Sequence, residues 1–519
     1  MKPQSTPAPF PPASYVLALI LLAAAGLRFY AFNFGLPELY HPDEMVASQE
    51  VARFMRGEYG LERYHHPPLF RMIAFLGLKT VSLIAPIPDD SMIISAVYAL
   101  RTVSVLAGIL TVAFLYRLSR YFLTEAFSLI TAGLYAFLPL AAVLSKHGLP
   151  DTLLTLMFLI NLCLQMRMTR GGPRRLFFLS GLFLALAFAT KYNGVFLTIS
   201  FLISLFYYTK TVREGFRAVV LSKRALFFLA GAGIGLFLGF PLVFFGEGGI
   251  LWRSLLEERA HLFEQGHFGL FISGAEYFYT FHFQKSVLPC CGPVLLLAIL
   301  AGLTLMLLRR KPAEVVLLGV VLPYYLFMDW VYKLPVNFEH YVLPLLPIYT
   351  LSAVVLLSWL LSGRLKDIHP KLKASAILLL TAALAAYPLY STARIVPTLV
   401  PDTRDVMRRW MREQLPAGSR ILFPELETTG YYPPVHRDGF TVATFKRFNP
   451  DINALKGDVD FVVASSLVYD RYFTYPEELP DHTYFYRTLF SKAKLLREVK
   501  PVFRSYIIHN PTLRVYSLQ

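Results

Sequence analysis

Apolar runs recur along most of the chain, and they constrain its fold more than any other feature. A helix that crosses a bilayer needs about 20 mostly apolar residues, and the sequence contains about eleven candidate runs. They lie near 13–34, 93–116, 124–144, 150–166, 176–190, 194–208, 226–245, 287–308, 314–332, 341–362 and 374–392. Hydrophobic residues make up 55% of the chain and charged residues 16%, which is too little polar surface for several globules in water. We therefore predict a polytopic α-helical membrane protein.

The first run, near 13–34, could also be a secretory signal peptide. It is too long for the apolar region of such a peptide, only Lys2 precedes it, and no convincing small-residue cleavage site follows it. We expect it to be the first membrane anchor. The fifth and sixth runs are short, and only residues 191–194 separate them, so a broken or re-entrant hairpin is an open alternative there.

The distribution of Lys and Arg predicts the orientation, because basic loops stay in the cytoplasm. If the N-terminus is cytoplasmic, the basic loops fall on the cytoplasmic side, and the opposite short loops hold little more than Lys146, Lys191 and Lys333. The basic loops contain Arg117, Arg120, Arg167, Arg170, Arg174, Arg175, Lys210, Arg213, Arg217, Lys223, Arg224, Arg309, Arg310, Lys311, Arg364, Lys366, Lys371 and Lys373. We predict a multi-pass protein of the inner (plasma) membrane with a periplasmic C-terminus. The net charge of +16 is then mainly a topology signal, so nucleic acid is not an expected partner.

The segments outside the apolar runs divide the chain into two predicted domains. Two outer loops, 35–90 and 246–286, mix aromatic residues, His and charges with Pro and Gly, which favours amphipathic helices on the membrane surface. Together with the apolar runs they form a membrane module, residues 1–392. Residues 393–519 contain acidic, basic and turn residues every few positions and are predicted to form a soluble α/β domain on the outer face. Within it we expect a helix at 402–414 and strands near 420–423, 460–464, 504–509 and 513–518.

Two adjacent carboxylates follow the first run, in Tyr40-His41-Pro42-Asp43-Glu44. Carboxylates held at the membrane boundary by a His-Pro step could supply a general base and a helper or metal ligand. The alternative is an ordinary helix start with Glu in the first turn. The residue pattern alone favours neither.

Other charged groups lie at the outer ends of the runs. His65 and His66, flanked by Arg63 and Arg71, could meet a phosphate or a metal, although adjacent histidines are weak evidence. Asp151, at the start of the fourth run, is a helix cap or a second acidic group.

Cations at the outer ends could receive an anionic lipid head group. Lys191, Lys333 and His340 are the candidates, and snorkelling to the interface is the alternative for a lone Lys. Arg101 lies inside the second apolar run, where an unpaired charge is costly. We therefore expect it to pair with a carboxylate or a phosphate.

The sequence indicates only part of the cofactor requirement. His261, His267 and His282 could complete a divalent metal site, but their spacing matches no tight ligand motif. Cys290 and Cys291 lack CxxC spacing and are interpreted as packing residues. No GxxxxGK[ST] loop is present, so no nucleotide cofactor is expected, and the Gly-rich stretch 231–235 lies in an apolar run, where small residues allow close helix packing.

Five motifs in order along the chain indicate a family. They are His41-Pro42-Asp43-Glu44, His66-Pro67-Pro68-Leu69, Pro150-Asp151, Lys191-Tyr192-Asn193-Gly194 and His340-Tyr341-Val342-Leu343-Pro344-Leu345-Leu346-Pro347. In this order they resemble the polytopic GT-C glycosyltransferases, specifically the family that includes protein O-mannosyltransferases and the bacterial transferases that add aminoarabinose to lipid A. The resemblance covers the membrane part well and the C-terminal part weakly.

The resemblance implies an inverting transfer of a sugar from a polyprenyl-phosphate donor to an acceptor hydroxyl on the extracytoplasmic face. It assigns Asp43 as the base, with Glu44 and Asp151 as further acidic groups that assist it. The cations expected at the leaving phosphate are His66, Arg101, Lys191, Lys333 and His340. Relatives often have Lys or Arg where this chain has His66 and His340, so the protonation state of these histidines, or other cations, could decide phosphate binding. Metal use varies in the family and stays open.

Two other functions compete with this one. A transporter or lipid flippase for cell-envelope precursors would also contain outer and buried charges, but such proteins commonly show repeated halves, and no repeat is visible here. A scaffold that binds envelope partners would leave the carboxylates at 43 and 44 without a role. The sequence does not identify the sugar, nor whether the acceptor is a protein, a lipid or a glycan.

Overall fold

The computed structural model describes residues 12–64, 66–260, 264, 279–331, 339–364, 369–424, 429–443, 450–503 and 508–518. The helices up to residue 260 are α1 Ala13–Phe29, α2 Pro42–Met55, α3 Leu69–Ser82, α4 Met92–Ser119, α5 Glu125–Ala136, α6 Pro139–Leu144, α7 Asp151–Met168, α8 Arg175–Thr190, α9 Leu197–Val212, α10 Phe216–Val220, α11 Lys223–Gly239 and α12 Gly248–Ala260. They are followed by α13 Leu288–Arg309, α14 Pro312–Val331, α15 Leu346–Trp359, α16 Pro370–Ile395, α17 Thr403–Gln414, α18 Ser466–Thr474 and α19 Pro480–Lys492. Each predicted apolar run contains a helix.

Seven helical stretches are long and apolar enough to cross a membrane, or eight if one bent pair forms a single span. Among the described residues the seven are Asp89–Ser119, Asp151–Met168, Tyr192–Val212, Phe283–Arg309, Pro312–Asp329, Glu339–Gly363 and Pro370–Gln414. Two shorter apolar helices, α1 and α8, come from two further predicted runs. The run near 124–144 is divided into α5 and α6, because Pro139 occupies the first turn of the second helix and cannot donate a backbone hydrogen bond. The count of about eleven spans stays a prediction.

Helix α7 lies in the interior of the helical bundle, and most of its side chains are buried. Its polar residues are satisfied inside the protein: Asn161 donates to the Ser180 carbonyl at 2.8 Å, and Gln165 donates to the Asn161 side chain at 2.7 Å. Buried polar groups need such partners. α7 therefore forms a fixed support for Asp151 at its outer end.

Helices α8 and α11 approach each other closely through glycine. A Cβ atom on Gly231 would lie 2.0 Å from the Phe178 carbonyl oxygen, and one on Gly181 would lie 2.2 Å from the Phe228 carbonyl oxygen. Larger side chains at these positions would force the backbones apart. This confirms that the Gly-rich stretch 231–235 serves helix packing.

The second outer loop begins with a bend. Helix α11 and the helical segment Val243–Ala260 meet at 70°. Gly246, inside the second segment, has φ of +120°, a conformation that favours glycine. Trp252 and Leu256 on α12 are exposed, which fits the expected surface helix. Most of residues 261–278 lie outside the described part of the chain.

The C-terminal region contains a five-stranded sheet. Its strands are β1 Arg420–Leu422, β2 Thr441–Ala443, β3 Phe461–Ser465, β4 Lys494–Val499 and β5 Leu513–Ser517, in the order β2-β1-β3-β5-β4. β1 pairs in parallel with β2 and β3, whereas β5 pairs antiparallel with β3 and β4. The α/β composition follows the prediction; the existence of a separate soluble domain with these bounds stays a prediction.

Individual C-terminal elements match the sequence analysis to different degrees. The predicted helix at 402–414 is α17, and its start is a capping box between Asp402 and Asp405. The strands near 420–423, 460–464 and 513–518 are confirmed as β1, β3 and β5. Most of the predicted strand at 504–509 lies outside the described residues. β2 and β4 were missed.

Candidate active site

The Asp43 side chain projects from the first turn of α2. His41 caps this helix, because its Nδ1 accepts a hydrogen bond from the Asp43 backbone N–H at 3.2 Å, and Pro42 occupies the first helical position. The helix start anticipated as the alternative interpretation is therefore present, with His41 as the cap. Successive helical residues point about 100° apart, so Asp43 and Glu44 face different surroundings.

Glu44 is fully buried and forms an ion pair with Arg101. Two hydrogen bonds of 2.7 Å join the guanidinium to the carboxylate, and the Gly148 backbone N–H donates a third at 2.7 Å. Burial would raise the pKa of Glu44, but Arg101 outweighs it and keeps this pKa below its ordinary value. Arg101 also donates to the carbonyls of Phe32 and Phe34. Of the two partners predicted for Arg101, the structure provides the carboxylate.

The turn before α7 packs directly against this ion pair. A Cβ atom on Gly148 would lie 2.7 Å from the Leu100 Cβ and 3.1 Å from Glu44 Oε1. Only glycine allows the Gly148 amide to reach the carboxylate without displacing α4. The ion pair thereby joins α2, α4 and the turn that leads to Asp151.

Asp43 opens onto a cavity of about 360 Å³. The lining residues are Asp43, Val46, Ala47, Glu50, Arg53, Glu62, Arg63, His66, Pro67, Phe70, Arg71, Gly148, Leu149 and Pro150. The volume is in the range of sites for small ligands. The Asp43 side chain is accessible from this cavity although protein surrounds it on its other sides.

The electrostatic surroundings of Asp43 include several predicted site residues. Burial alone would raise the pKa of its carboxyl, but interactions with His41, His66, His340 and Lys191 outweigh burial and bring this pKa below its ordinary value. Asp43 is therefore a carboxylate at neutral pH. A carboxylate that is ionised and open to a cavity can accept a proton from a bound hydroxyl.

Lys191 lies between α8 and a short 3₁₀ helix, Tyr192–Phe196, which leads into α9. Its Nζ is 2.8 Å from Asp151 Oδ1 and 4.7 Å from the centre of the Tyr341 ring. His66 and His340 lie within electrostatic reach of the same Asp151 carboxylate. The break between the fifth and sixth predicted runs thus places a cation beside the acidic group at the start of α7.

The structure brings together five of the eight residues predicted for the site. Two others form an ion pair with each other outside this group. Asp43, His66, Asp151, Lys191 and His340 form one cluster, defined by the distances and interactions above. Glu44 and Arg101 form a fully buried ion pair with each other. Lys333 lies outside the described residues.

Potential metal ligands are only partly described. His65, His261 and His267 lie outside the described residues. The His282 backbone N–H donates to Asp329 at 2.9 Å, and its ring interacts with Ser286. Within the ranges given above, no group of three or more His, Cys, Asp or Glu side chains is placed to hold a metal ion.

Several residues near the site were missed by the sequence analysis. Arg71 pairs with Glu50 and donates to the His66 carbonyl at 2.5 Å, which holds the His66 backbone at the cavity. The buried rings of His147 and His509 lie 4.7 Å apart, and His147 lies 5.3 Å from His41. His147 lies four residues before Asp151 in the sequence, but no local pattern indicated a contact with the C-terminal region.

Comparison with known proteins supports the family resemblance. The dolichyl-phosphate-mannose-protein mannosyltransferase family matches residues 92–242. No curated protein matches the chain at a significant level.

Solved structures extend the comparison to nearly the whole fold. ArnT from Cupriavidus metallidurans bound to undecaprenyl phosphate is 14% identical, with a TM-score of 0.52, and the match covers 97% of both chains. The archaeal oligosaccharyltransferase AglB from Archaeoglobus fulgidus, in complex with an inhibitory peptide and a dolichol-phosphate, is 13% identical with a TM-score of 0.53. That match covers 87% of this chain and 69% of AglB. At such low identity the likeness concerns the fold, and the predicted resemblance is confirmed: this multi-pass chain has the fold of the GT-C glycosyltransferase superfamily.

Proposed function

We propose that this protein is an inverting membrane glycosyltransferase that moves a sugar from a polyprenyl-phosphate donor to an acceptor hydroxyl on the extracytoplasmic face. The observation that supports this most strongly is the placement of Asp43. Its carboxylate opens onto a cavity that His66 also lines, and it interacts electrostatically with His66, His340 and Lys191. An inverting transfer needs such a base facing the acceptor and cations facing the leaving phosphate.

The acceptor enters through the cavity in this proposal. Asp43 takes the hydroxyl proton as the acceptor oxygen attacks the anomeric carbon from the face opposite the phosphate. The bond between the anomeric carbon and the phosphate oxygen breaks, and the electron pair leaves with the polyprenyl phosphate. Because Asp43 is already ionised at neutral pH, it is ready to accept the proton.

The leaving phosphate is stabilised by the Lys191 ammonium beside Asp151. Lys191 is held by Asp151 and by the Tyr341 ring, so its ammonium is oriented before the donor binds. An oriented cation stabilises developing negative charge more effectively than a mobile one. Asp151 acts here as the group that orients Lys191, and His66 and His340 add hydrogen-bond donors.

The compared proteins support the choice of donor. ArnT was solved with undecaprenyl phosphate and AglB with a dolichol-phosphate, and the matching family is named for dolichyl-phosphate-mannose. All three are linked to a polyprenyl-type phosphate. The same class of lipid is therefore the proposed donor here, while the sugar and the acceptor are left to experiment.

The Glu44–Arg101 ion pair has a different proposed role from that of Asp43. Both side chains are fully buried, and hydrogen bonds engage them with each other, with the Gly148 amide and with two carbonyls. A pair in this position fixes α2 against α4. We assign Glu44 and Arg101 to the support of the Asp43 helix and not to contact with substrate.

A transfer assay tests the proposal. Purified full-length protein is incubated with radiolabelled polyprenyl-phosphate sugars and an envelope extract, and both label transfer and release of polyprenyl phosphate are measured. Asp43→Asn should fold normally and lower turnover by about 10²- to 10⁴-fold. Asp89→Asn, which changes an exposed carboxylate of the same outer loop, is the matched control. Near-normal turnover in Asp43→Asn would exclude Asp43 as the base, and transbilayer movement of labelled lipid without sugar release would favour a transporter.

A further inference from the structure

The C-terminal region forms hydrogen bonds with the loop that precedes Asp43. Arg404, near the start of α17, is fully buried, and its guanidinium forms two hydrogen bonds of 2.8 Å to the Asp402 carboxylate. It also donates to the carbonyls of Tyr40, Gly430 and Ile508. All five N–H donors of the guanidinium are thus used. We refer to these five residues as the Arg404 cluster.

Tyr40 is held by contacts with Arg404, Asp405 and Gly430. The Arg404 guanidinium lies 3.9 Å from the centre of the Tyr40 ring and donates to the Tyr40 carbonyl, and the Tyr40 hydroxyl bonds to Asp405. A Cβ atom on Gly430 would lie 2.4 Å from the Tyr40 carbonyl oxygen. Glycine at this position lets the C-terminal region approach the loop backbone directly. The peptide between Tyr40 and His41 therefore has little freedom to rotate.

Two residues, His41 and Pro42, separate Tyr40 from Asp43, and His41 transmits the constraint. The His41 ring accepts the Asp43 backbone N–H, which requires that Nδ1 be unprotonated. Burial is the main cause that keeps the pKa of His41 below its ordinary value, and the Arg404 cation adds to it against the carboxylates of Asp43 and Glu44. Arg404 thus restrains the backbone that leads into the residue that caps the Asp43 helix, whereas burial is the main cause that keeps this residue unprotonated.

We propose that Arg404 is a positioning residue for Asp43: through Tyr40 and His41 it fixes the carboxylate in line with the cavity. This inference rests on the proposed function, because it assigns Asp43 as the base. Arg404 contacts neither the cavity nor the Asp43 side chain in the described residues. Its effect is therefore geometric, and misplacement of a reacting group by about 1 Å is enough to lower turnover by about 10²-fold.

Amide hydrogen exchange tests the geometric part without requiring any transfer activity. Full-length protein, Arg404→Gln and Arg404→Lys are compared by mass spectrometry over residues 36–47. We expect exchange at the start of α2 to become about tenfold faster in Arg404→Gln, with a smaller effect in Arg404→Lys. Arg420→Gln, which breaks the Arg420–Asp460 ion pair within the C-terminal region, should leave this segment unchanged. Unchanged exchange at 36–47 in both Arg404 variants would overturn the inference.

Kinetics then separate positioning from a loss of folded protein. Positioning predicts that Arg404→Gln lowers kcat by about 10- to 100-fold while the donor KM changes by less than about twofold. The acid limb of the kcat profile should also move to higher pH, because Asp43 shifts away from His41, His66, His340 and Lys191, which lower its pKa. If kcat falls while the acid limb of its pH profile stays at the same pH, Arg404 only stabilises the fold. If the wild-type chain transfers no sugar, the proposed function fails, whereas the exchange experiment still decides whether Arg404 restrains the loop.

Discussion

Lys191 donates a hydrogen bond to Asp151 across 2.8 Å, and this contact joins the turn after α8 to the first residue of α7. Both side chains are largely buried, with 9% of Lys191 and 4% of Asp151 exposed. The cation proposed to face the leaving phosphate is therefore oriented by a carboxylate in the absence of donor. This relationship leads to the first of three predictions.

We expect Lys191→Gln to weaken use of the donor more than use of the acceptor. Loss of a charge-assisted hydrogen bond to phosphate should raise the donor KM by about tenfold and leave the acceptor KM within about twofold. Initial rates measured while each substrate is varied in turn provide the test. Lys79→Gln, an exposed lysine of α3, is the control. An equal rise in both KM values would argue against a phosphate role for Lys191.

The Glu44–Arg101 ion pair should be needed for stability as a pair. Arg101→Met leaves an unpaired carboxylate in the interior and should destabilise the protein by about 3–5 kcal/mol. The double variant Glu44→Gln with Arg101→Met should recover much of this loss, because no buried charge remains. Thermal unfolding in detergent measures both effects. A stable Arg101→Met protein that fails to bind donor would instead place Arg101 at the phosphate, as the family resemblance implied.

The buried histidine pair should make the fold sensitive to acid. Burial lowers the pKa of His147 from its ordinary 6.5 to about 3, and it also lowers the pKa of His509. Between these pH values the unfolded chain binds a proton at His147 that the folded protein excludes. The free energy of unfolding therefore rises with pH across this window. The contribution of His147 is fully present above about pH 6.5 and is lost progressively as the pH falls below that value.

Unfolding temperatures measured from about pH 8 to about pH 5 test this sign. We expect the wild-type Tm at pH 5 to lie below that at pH 7 by on the order of 5 °C. His147→Gln should reduce the difference, whereas His369→Gln, at the exposed start of α16, should leave it unchanged. A wild-type Tm that stays constant or rises on acidification would contradict the prediction.

Local features of the chain could be predicted, whereas contacts between distant segments could not. An apolar run is a property of neighbouring residues, so every predicted run contains a helix. The helix start at Pro42 was recognisable for the same reason. The partner of Arg101 is 57 residues away in the chain, and no spacing pattern connects Arg101 to Glu44. The position of Arg101 in an apolar run therefore predicts a carboxylate or a phosphate as its partner but does not distinguish between them.

The missed strands illustrate the same limit in the C-terminal region. β2 has only three residues, and β4 begins with exposed residues and contains Arg497 and Glu498, so neither resembles a buried strand. β3 was found because all five of its residues are apolar or small and buried. The contact between Arg404 and Tyr40 spans 364 residues. Only the folded chain shows that these residues meet beside Asp43.

The Arg404 cluster also has a consequence for the order of events during synthesis. A ribosome completes Asp43 early, but Arg404 and Ile508, which hold the preceding Tyr40, are added much later. The first outer loop therefore cannot take its final conformation until residues as late as Ile508 have been synthesised. A nascent or truncated chain that lacks these late residues would contain the Asp43 carboxylate without its restraint.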